Sequence, residues 1–186
     1  MQALRRMKRG IVLGLCVAAC YAAYNFARFG NPLEFGHNYL PEFTRSADGQ
    51  FSLKYLAANA KRFLLKPPFY QTESGWEFEK FGCSVFLGNP MLVLMLVWYL
   101  TDLIRGKAKP LSHLIAGTFV IHLCLLLLHR TGGGFQLGAR YAVDLVPYSL
   151  MYLGVKPDKR DVNCWETAWL TAGFVMMLIG SYFIHI

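Results

Sequence analysis

The chain has 186 residues, 55% of them hydrophobic and only 16% charged, with a positive mean hydropathy. Soluble domains carry about 25% charged residues, so the composition argues against an ordinary soluble domain. The formal net charge of +8 would suit nucleic acid, but ten of the 19 basic residues lie in three clusters flanking apolar runs, and no basic face is interleaved with stacking aromatics. Membrane lipids with anionic headgroups are the expected counter-charge, with no nucleic-acid partner.

The first cluster is Arg5, Arg6, Lys8 and Arg9. It precedes an apolar stretch, Gly10 to Ala27, whose outer end carries Tyr21, Tyr24, Phe26 and Phe29 like an interfacial belt. The basic start and the small residues Ala18, Ala19 and Cys20 imitate a signal peptide. Apolar character continues to Phe29, however, which is long enough for an uncleaved first span. Asn31-Pro32 ends it, because proline lacks the amide donor and restricts the residue before it.

Residues 28–84 form the only long hydrophilic stretch, and it is near neutral. Within it, residues 52–66 predict an amphipathic helix. Leu53, Leu56, Ala60, Phe63 and Leu64 share one face, with Lys54, Asn59, Lys61 and Arg62 opposite or flanking it. Pro67-Pro68 stops it. The pattern suits a helix lying in the membrane interface, or one packed in a small extramembrane domain.

A second span is expected over Val85 to Ile104, with Asp102 as an interfacial charge beside Arg105. The second basic cluster, Arg105, Lys107 and Lys109, follows. The third span, Leu111 to Leu128, carries His122, expected to hydrogen-bond to a neighbouring helix. A glycine loop over residues 129–140 leads to a fourth apolar stretch, Tyr141 to Val155, which is short and contains Asp144 and Pro147. The third cluster, Lys156, Lys159 and Arg160, precedes a fifth span, Trp165 to Ile186.

Short loops rich in Lys and Arg stay cytoplasmic. With the N-terminus inside and the C-terminus outside, all three clusters fall on the cytoplasmic side. The fold expected is all-α: a polytopic bundle of about five transmembrane helices with one interfacial amphipathic helix. Its parts are residues 1–27 (N-terminus and first span), 28–84 (outer segment with the 52–66 helix) and 85–186 (four further spans with the outer loop 129–140).

This topology puts the glycine loop on the outer face. Successive glycines let backbone amides point at an anion, and arginines add forked donors for phosphate. Arg130, Gly132, Gly133, Gly134, Gln136, Arg140 and Tyr141 are therefore the candidates for a phosphate or lipid headgroup. The competing reading is a tight turn whose arginines snorkel to headgroups. Glu34, His37 and Asp144 are secondary candidates, Asp144 standing one helical turn after Arg140 where the two can pair. Cys16, Cys20, Cys83, Cys124 and Cys164 contain no CxxC pair, so no metal, cofactor or disulfide framework is expected.

The string Tyr24-Asn25-Phe26-Ala27-Arg28-Phe29-Gly30-Asn31-Pro32-Leu33-Glu34-Phe35-Gly36 is followed two spans later by Gly134-Phe135-Gln136-Leu137-Gly138-Ala139-Arg140-Tyr141 and by Pro147. Together they resemble bacterial polytopic glycosyltransferases of the GT-C type, specifically the C-terminal half of family-39-like proteins that use polyprenyl-phosphate sugars. The resemblance implies sugar transfer from a polyprenyl-phosphate-linked donor at the outer face. It also implies a catalytic acid in an N-terminal half, and nothing before Tyr24 corresponds to that half. The chain thus reads as a fragment, a split subunit completed by a partner membrane subunit, or a degenerate relative. The alternative is a non-catalytic membrane scaffold or assembly subunit; a transporter is the weaker third reading.

Overall fold

The computed structural model describes residues 2–41, 47–136, 138–156 and 162–185, with the backbone alone at residues 2–7, 37, 184 and 185. The chain divides into two units, Met1–Gln50 and Phe51–Ile186.

In the first unit, helix α1 (Gln2–Phe29) runs for 28 residues, or about 42 Å at 1.5 Å per residue. Its portion Lys8–Phe29 is long and apolar enough to cross a membrane, and Ile11, Val12, Leu13, Leu15 and Val17 stand exposed along it. Gly30, at φ +68°, closes the helix with its N–H on the Phe26 carbonyl. A compact turn follows. Glu34 accepts hydrogen bonds from the Gly36 N–H and from Asn38, and Tyr39 stacks on Phe29 at 5.3 Å.

The second unit begins with the predicted amphipathic segment. It forms one continuous helical run: a 3-10 turn (Leu53–Tyr55), helix α2 (Leu56–Ala60) and a π-helical turn (Lys61–Leu65). Its inward face differs from the expected one. Leu53 is exposed, whereas Asn59 is buried and donates to the carbonyls of Leu127 and His129 at 2.9 and 2.7 Å. Those carbonyls end a later helix and have no helical partner of their own, which is why a polar residue belongs here. The segment packs against the later helix Pro110–Leu128.

A hairpin follows, β1 (Phe69–Thr72) antiparallel to β2 (Gly75–Phe78), with Thr72 opposite Gly75. It departs from the all-α expectation, although the chain remains mostly helical. Gly75 at φ +127° closes its two-residue loop.

Helices α3 (Val85–Gly88) and α4 (Pro90–Ile104) come next, then α5 (Pro110–Leu128), a 3-10 stretch (Arg140–Leu145), α6 (Val146–Val155) and α7 (Cys164–His185). They pack around Leu92, Leu94, Met95 and Trp98 of α4 with Ile115 and Phe119 of α5, Leu145, and Tyr152 of α6. Gly173 lets α7 pass close to α4, since a Cβ there would meet the Pro90 ring at 2.3 Å.

The expected bundle of five spans is not supported, although the chain is mostly helical. Among the described residues, only Lys8–Phe29 and Pro110–Leu128 are both long and apolar enough to cross a membrane. The second stretch breaks at Asn89-Pro90 and leaves α4 with 15 residues. The fourth opens as a 3-10 turn, and the ten residues of α6 reach only about 15 Å, half the hydrocarbon core.

The alternating helices give this unit two ends. Arg105, Lys107, Lys109 and Lys156 gather where α4 and α6 finish and α5 and α7 begin. Lys159 and Arg160 lie outside the described residues. The helical run, the hairpin and the glycine loop gather at the other end. Asp102 is not an interfacial charge: it is buried and accepts a 2.6 Å hydrogen bond from Tyr152, fifty residues on. His122 meets its expected neighbour in Tyr148, at 3.3 Å.

Replacing Asn59 by alanine strands two buried carbonyls and should lower stability by about 1–3 kcal/mol. Lys61→Ala, at an exposed position, should change it by less than about 0.5 kcal/mol. Thermal unfolding of the two purified variants in detergent, beside the parent chain, checks the difference.

Candidate functional site

The glycine loop is organised by two side chains, Phe63 and Gln136. Phe63 projects from the π-helical turn and is buried against Gly132, where an added Cβ would lie 1.7 Å from the ring. Gln136, also buried, joins three segments. Its backbone N–H donates to the Lys80 carbonyl at 2.8 Å, its Nε2 donates to Gly132 O at 2.9 Å, and its Oε1 accepts from the Arg140 N–H at 2.7 Å. A Cβ on Gly133 would lie 2.6 Å from that Oε1. Gly132 and Gly133 therefore admit a phenyl ring and an amide. Gly134 alone opens onto free space.

The segment before the second span is locked to the same place. Lys66 pairs with the buried Glu79, whose other oxygen accepts the Phe81 N–H at 2.9 Å. Ser84 donates from Oγ to Leu64 O at 3.0 Å, and the Cys83 N–H reaches Gly138 O at 3.2 Å. Burial, reinforced by the negative charge of Glu79, pushes the Cys83 thiol up to about 11.

What this clasp presents outward is cationic and aromatic. Arg140 is exposed, with its guanidinium 5.7 Å from the Tyr141 ring centre. The Lys80 ammonium lies 5.9 Å from the ring centre of Phe135, and Phe135 meets Phe81 edge-on at 6.1 Å. Both phenylalanines are more than half exposed, at 52% and 61%. A cation over an aromatic face is attracted by the ring quadrupole, and the pair presents a surface that suits an anionic group on an apolar chain.

The structure thus brings Gly132, Gly133, Gln136, Arg140 and Tyr141 into one construction. Arg130 is half-buried at its edge. Asp144 does not join it: the residue is exposed and forms no ion pair with Arg140 among the described residues. The reason is the 3-10 winding of Arg140–Leu145. At three residues per turn, positions four apart lie about 120° from one another instead of sharing a face. Glu34 belongs to the first unit, where hydrogen bonds, the one from Asn38 foremost, hold its carboxyl below the usual range. His37 lies in the turn His37–Tyr39 of that unit, and its side chain is outside the described part.

Sequence reasoning missed Phe63 as the loop's organiser, Lys80 and Phe81 as its neighbours, and the buried acids Asp102 and Glu166 at the opposite end. Glu166 was nonetheless legible, because Asn163-x-x-Glu166 is a helix-start signature. Asn163 Oδ1 accepts the Glu166 N–H and Glu166 Oε2 accepts the Asn163 N–H, each at 3.0 Å. The other oxygen of that acid, Oε1, accepts the Trp98 indole N–H at 2.6 Å. Among the described residues no three His, Cys, Asp or Glu side chains converge as metal ligands would. Comparison of the chain with protein-family models, with curated proteins and with solved structures finds no match.

Gly132→Ala should destabilise the chain by about 1–3 kcal/mol through overpacking, and Phe63→Leu in the same chain should recover part of that loss. A double-mutant cycle on melting temperature reads the coupling. In a variant retaining Cys83 as its sole cysteine, the raised pKa keeps the thiol protonated at pH 8. The thiol is also 0% exposed, so iodoacetamide labelling should stay slow at pH 8 in the folded chain and become fast once the chain is unfolded.

Proposed function

We propose that the chain is an integral protein of a bacterial cytoplasmic membrane that binds the phosphate of a polyprenyl-linked sugar at the Gln136-clasped loop, as the C-terminal portion of a GT-C-type glycosyltransferase would. Support for the membrane comes from the bundle's exterior. Leu100, Leu103 and Ile104 of α4, Leu114, Val120, Ile121 and Leu125 of α5, and Phe174, Val175, Leu178 and Ile179 of α7 are all exposed. Apolar patches of that extent mark contact with lipid or protein instead of water. The basic end faces the cytoplasm and the loop end faces outward, following the Lys and Arg bias. The segments flanking α5 complete the crossing, and Arg140–Val155 enters the bilayer as a short broken piece, tolerated where protein surrounds it.

The observation that carries the site assignment is the clasp itself. Gln136 fixes the backbones of Lys80 and Arg140 on one small construction, so two cations stand beside exposed Phe81 and Phe135 without needing the loop amides. In sugar transfer, the bond from the anomeric carbon to the phosphate oxygen breaks and a bond to an acceptor oxygen forms. Cations on the departing phosphate stabilise the charge that develops there. Arg140 takes this role, while the base for the acceptor proton comes from a partner membrane subunit.

The second reading, a non-catalytic assembly subunit, is favoured by the internal use of Gly132, Gly133 and the Gln136 amide, which makes the loop a rigid docking surface. Two measurements separate the readings. Arg140→Lys keeps the charge and loses the fork, so binding of undecaprenyl phosphate to the purified chain should weaken about tenfold with expression unchanged. Radiolabelled sugar should move to acceptor in membranes containing the chain together with the product of an adjacent gene. Binding without transfer would favour the assembly subunit, and unchanged binding in the Arg140 variant would remove the phosphate site.

A further inference from the structure

The basic end of the second unit holds a cavity of about 600 Å³, within the range of small-molecule sites. Its wall includes Trp98, Asp102, Arg105, Lys156, Asn163 and Trp165. The cavity lies at the end of the bundle opposite the glycine loop, and nothing proposed above uses it.

Three features make it a built site. Its floor is anchored by buried polar groups whose positions are set by bonds between helices. Asp102, 3% exposed, receives the Tyr152 hydroxyl from α6, and Trp98 is held by Glu166 of α7. Its cations come from separate elements: Arg105 caps α4, Lys156 caps α6, and the Lys156 ammonium lies 5.5 Å from the Trp98 ring centre. Its rim joins Trp165, 45% exposed, to the start of α7, which the Asn163–Glu166 pair holds in place. Arg105 and Lys156 thus stand as the cationic donors of a wall whose nearby carboxylates, Asp102 and Glu166, are already hydrogen-bonded.

We propose that this cavity binds a phosphate ester, with the phosphate between Arg105 and Lys156 and the ester's organic part against Trp98 and Trp165. Arg105 supplies a two-pronged donor and Lys156 a point charge. The tryptophans supply the amphipathic rings that favour the depth of lipid headgroups. The same chemistry is offered by the headgroup of an anionic phospholipid and by a soluble organic phosphate, and the two sources are separable by experiment. The site is independent of Arg140, so its failure leaves the loop assignment untouched.

The test uses the full chain in phosphatidylcholine nanodiscs, with tryptophan quenching by brominated-chain phosphatidylglycerol or brominated-chain phosphatidylcholine as the readout. The expected result is quenching by phosphatidylglycerol at about tenfold lower content than by phosphatidylcholine, lost in an Arg105→Gln, Lys156→Gln variant and kept in Trp76→Phe. Arg105→Lys, which preserves charge, serves where the double variant fails to fold, and it should lose a few-fold of the preference. Competition by millimolar glycerol phosphate assigns the site to soluble esters, and its absence assigns it to the lipid. Equal quenching by the two lipids with no response to glycerol phosphate, or a preference that survives in folded charge variants, would overturn the proposal.

Discussion

Helices α4 to α7 carry apolar side chains on their inner and outer faces alike, so the polar groups they contain must find partners inside the bundle or at one of its ends. Most of the arrangement follows from that constraint. Asp102 takes the Tyr152 hydroxyl, Glu166 takes the Trp98 indole, and His122 meets Tyr148, each bond joining two different helices. Among the described residues, the Ser149 hydroxyl and the Trp169 indole N–H are buried without such a partner. The helix ends are closed in the same way. Asn59 covers the last carbonyls of α5, and the reciprocal Asn163–Glu166 pair starts α7.

The two ends solve the problem with different chemistry. At the loop end, closure is by shape: a phenyl ring and an amide occupy the room that glycine side chains would need, and the cations are left outside on the aromatic surface. At the basic end, closure is by charge. Buried acids are held by neutral donors, and Arg105 and Lys156 stand at the C-termini of their helices, where cations are favoured. The first end is therefore rigid and presents a surface, and the second encloses a volume.

What was legible in the sequence is what depends on local pattern. The apolar run read as Leu111 to Leu128 is α5 almost to the residue, and the helix read over residues 52–66 is there and stops before Pro67. What depended on partners far along the chain was not legible. Asn59 looks outward by periodicity, but the carbonyls it serves lie 68 and 70 residues away. Asp102 looks interfacial beside Arg105 until Tyr152 is brought over it. Gly132 and Gly133 read as an anion cradle because nothing local announces that Phe63 and Gln136 need their space. The Arg140–Asp144 pairing assumed α-helical winding where a 3-10 turn was formed, and the hairpin was overlooked although Phe69, Tyr70, Trp76 and Phe78 flank a serine–glycine turn.

The proposed topology sets the loop end and the basic end on opposite sides of a membrane. The most direct measurement is labelling of single cysteines, in an otherwise cysteine-free chain, with a membrane-impermeant maleimide on sealed right-side-out spheroplasts. Gly134→Cys opens onto free space and Lys107→Cys is exposed at the basic end. The account predicts that Cys at 134 labels in sealed spheroplasts and that Cys at 107 labels only after they are permeabilised. Labelling of both positions without permeabilisation, or of Cys at 107 alone, would contradict it.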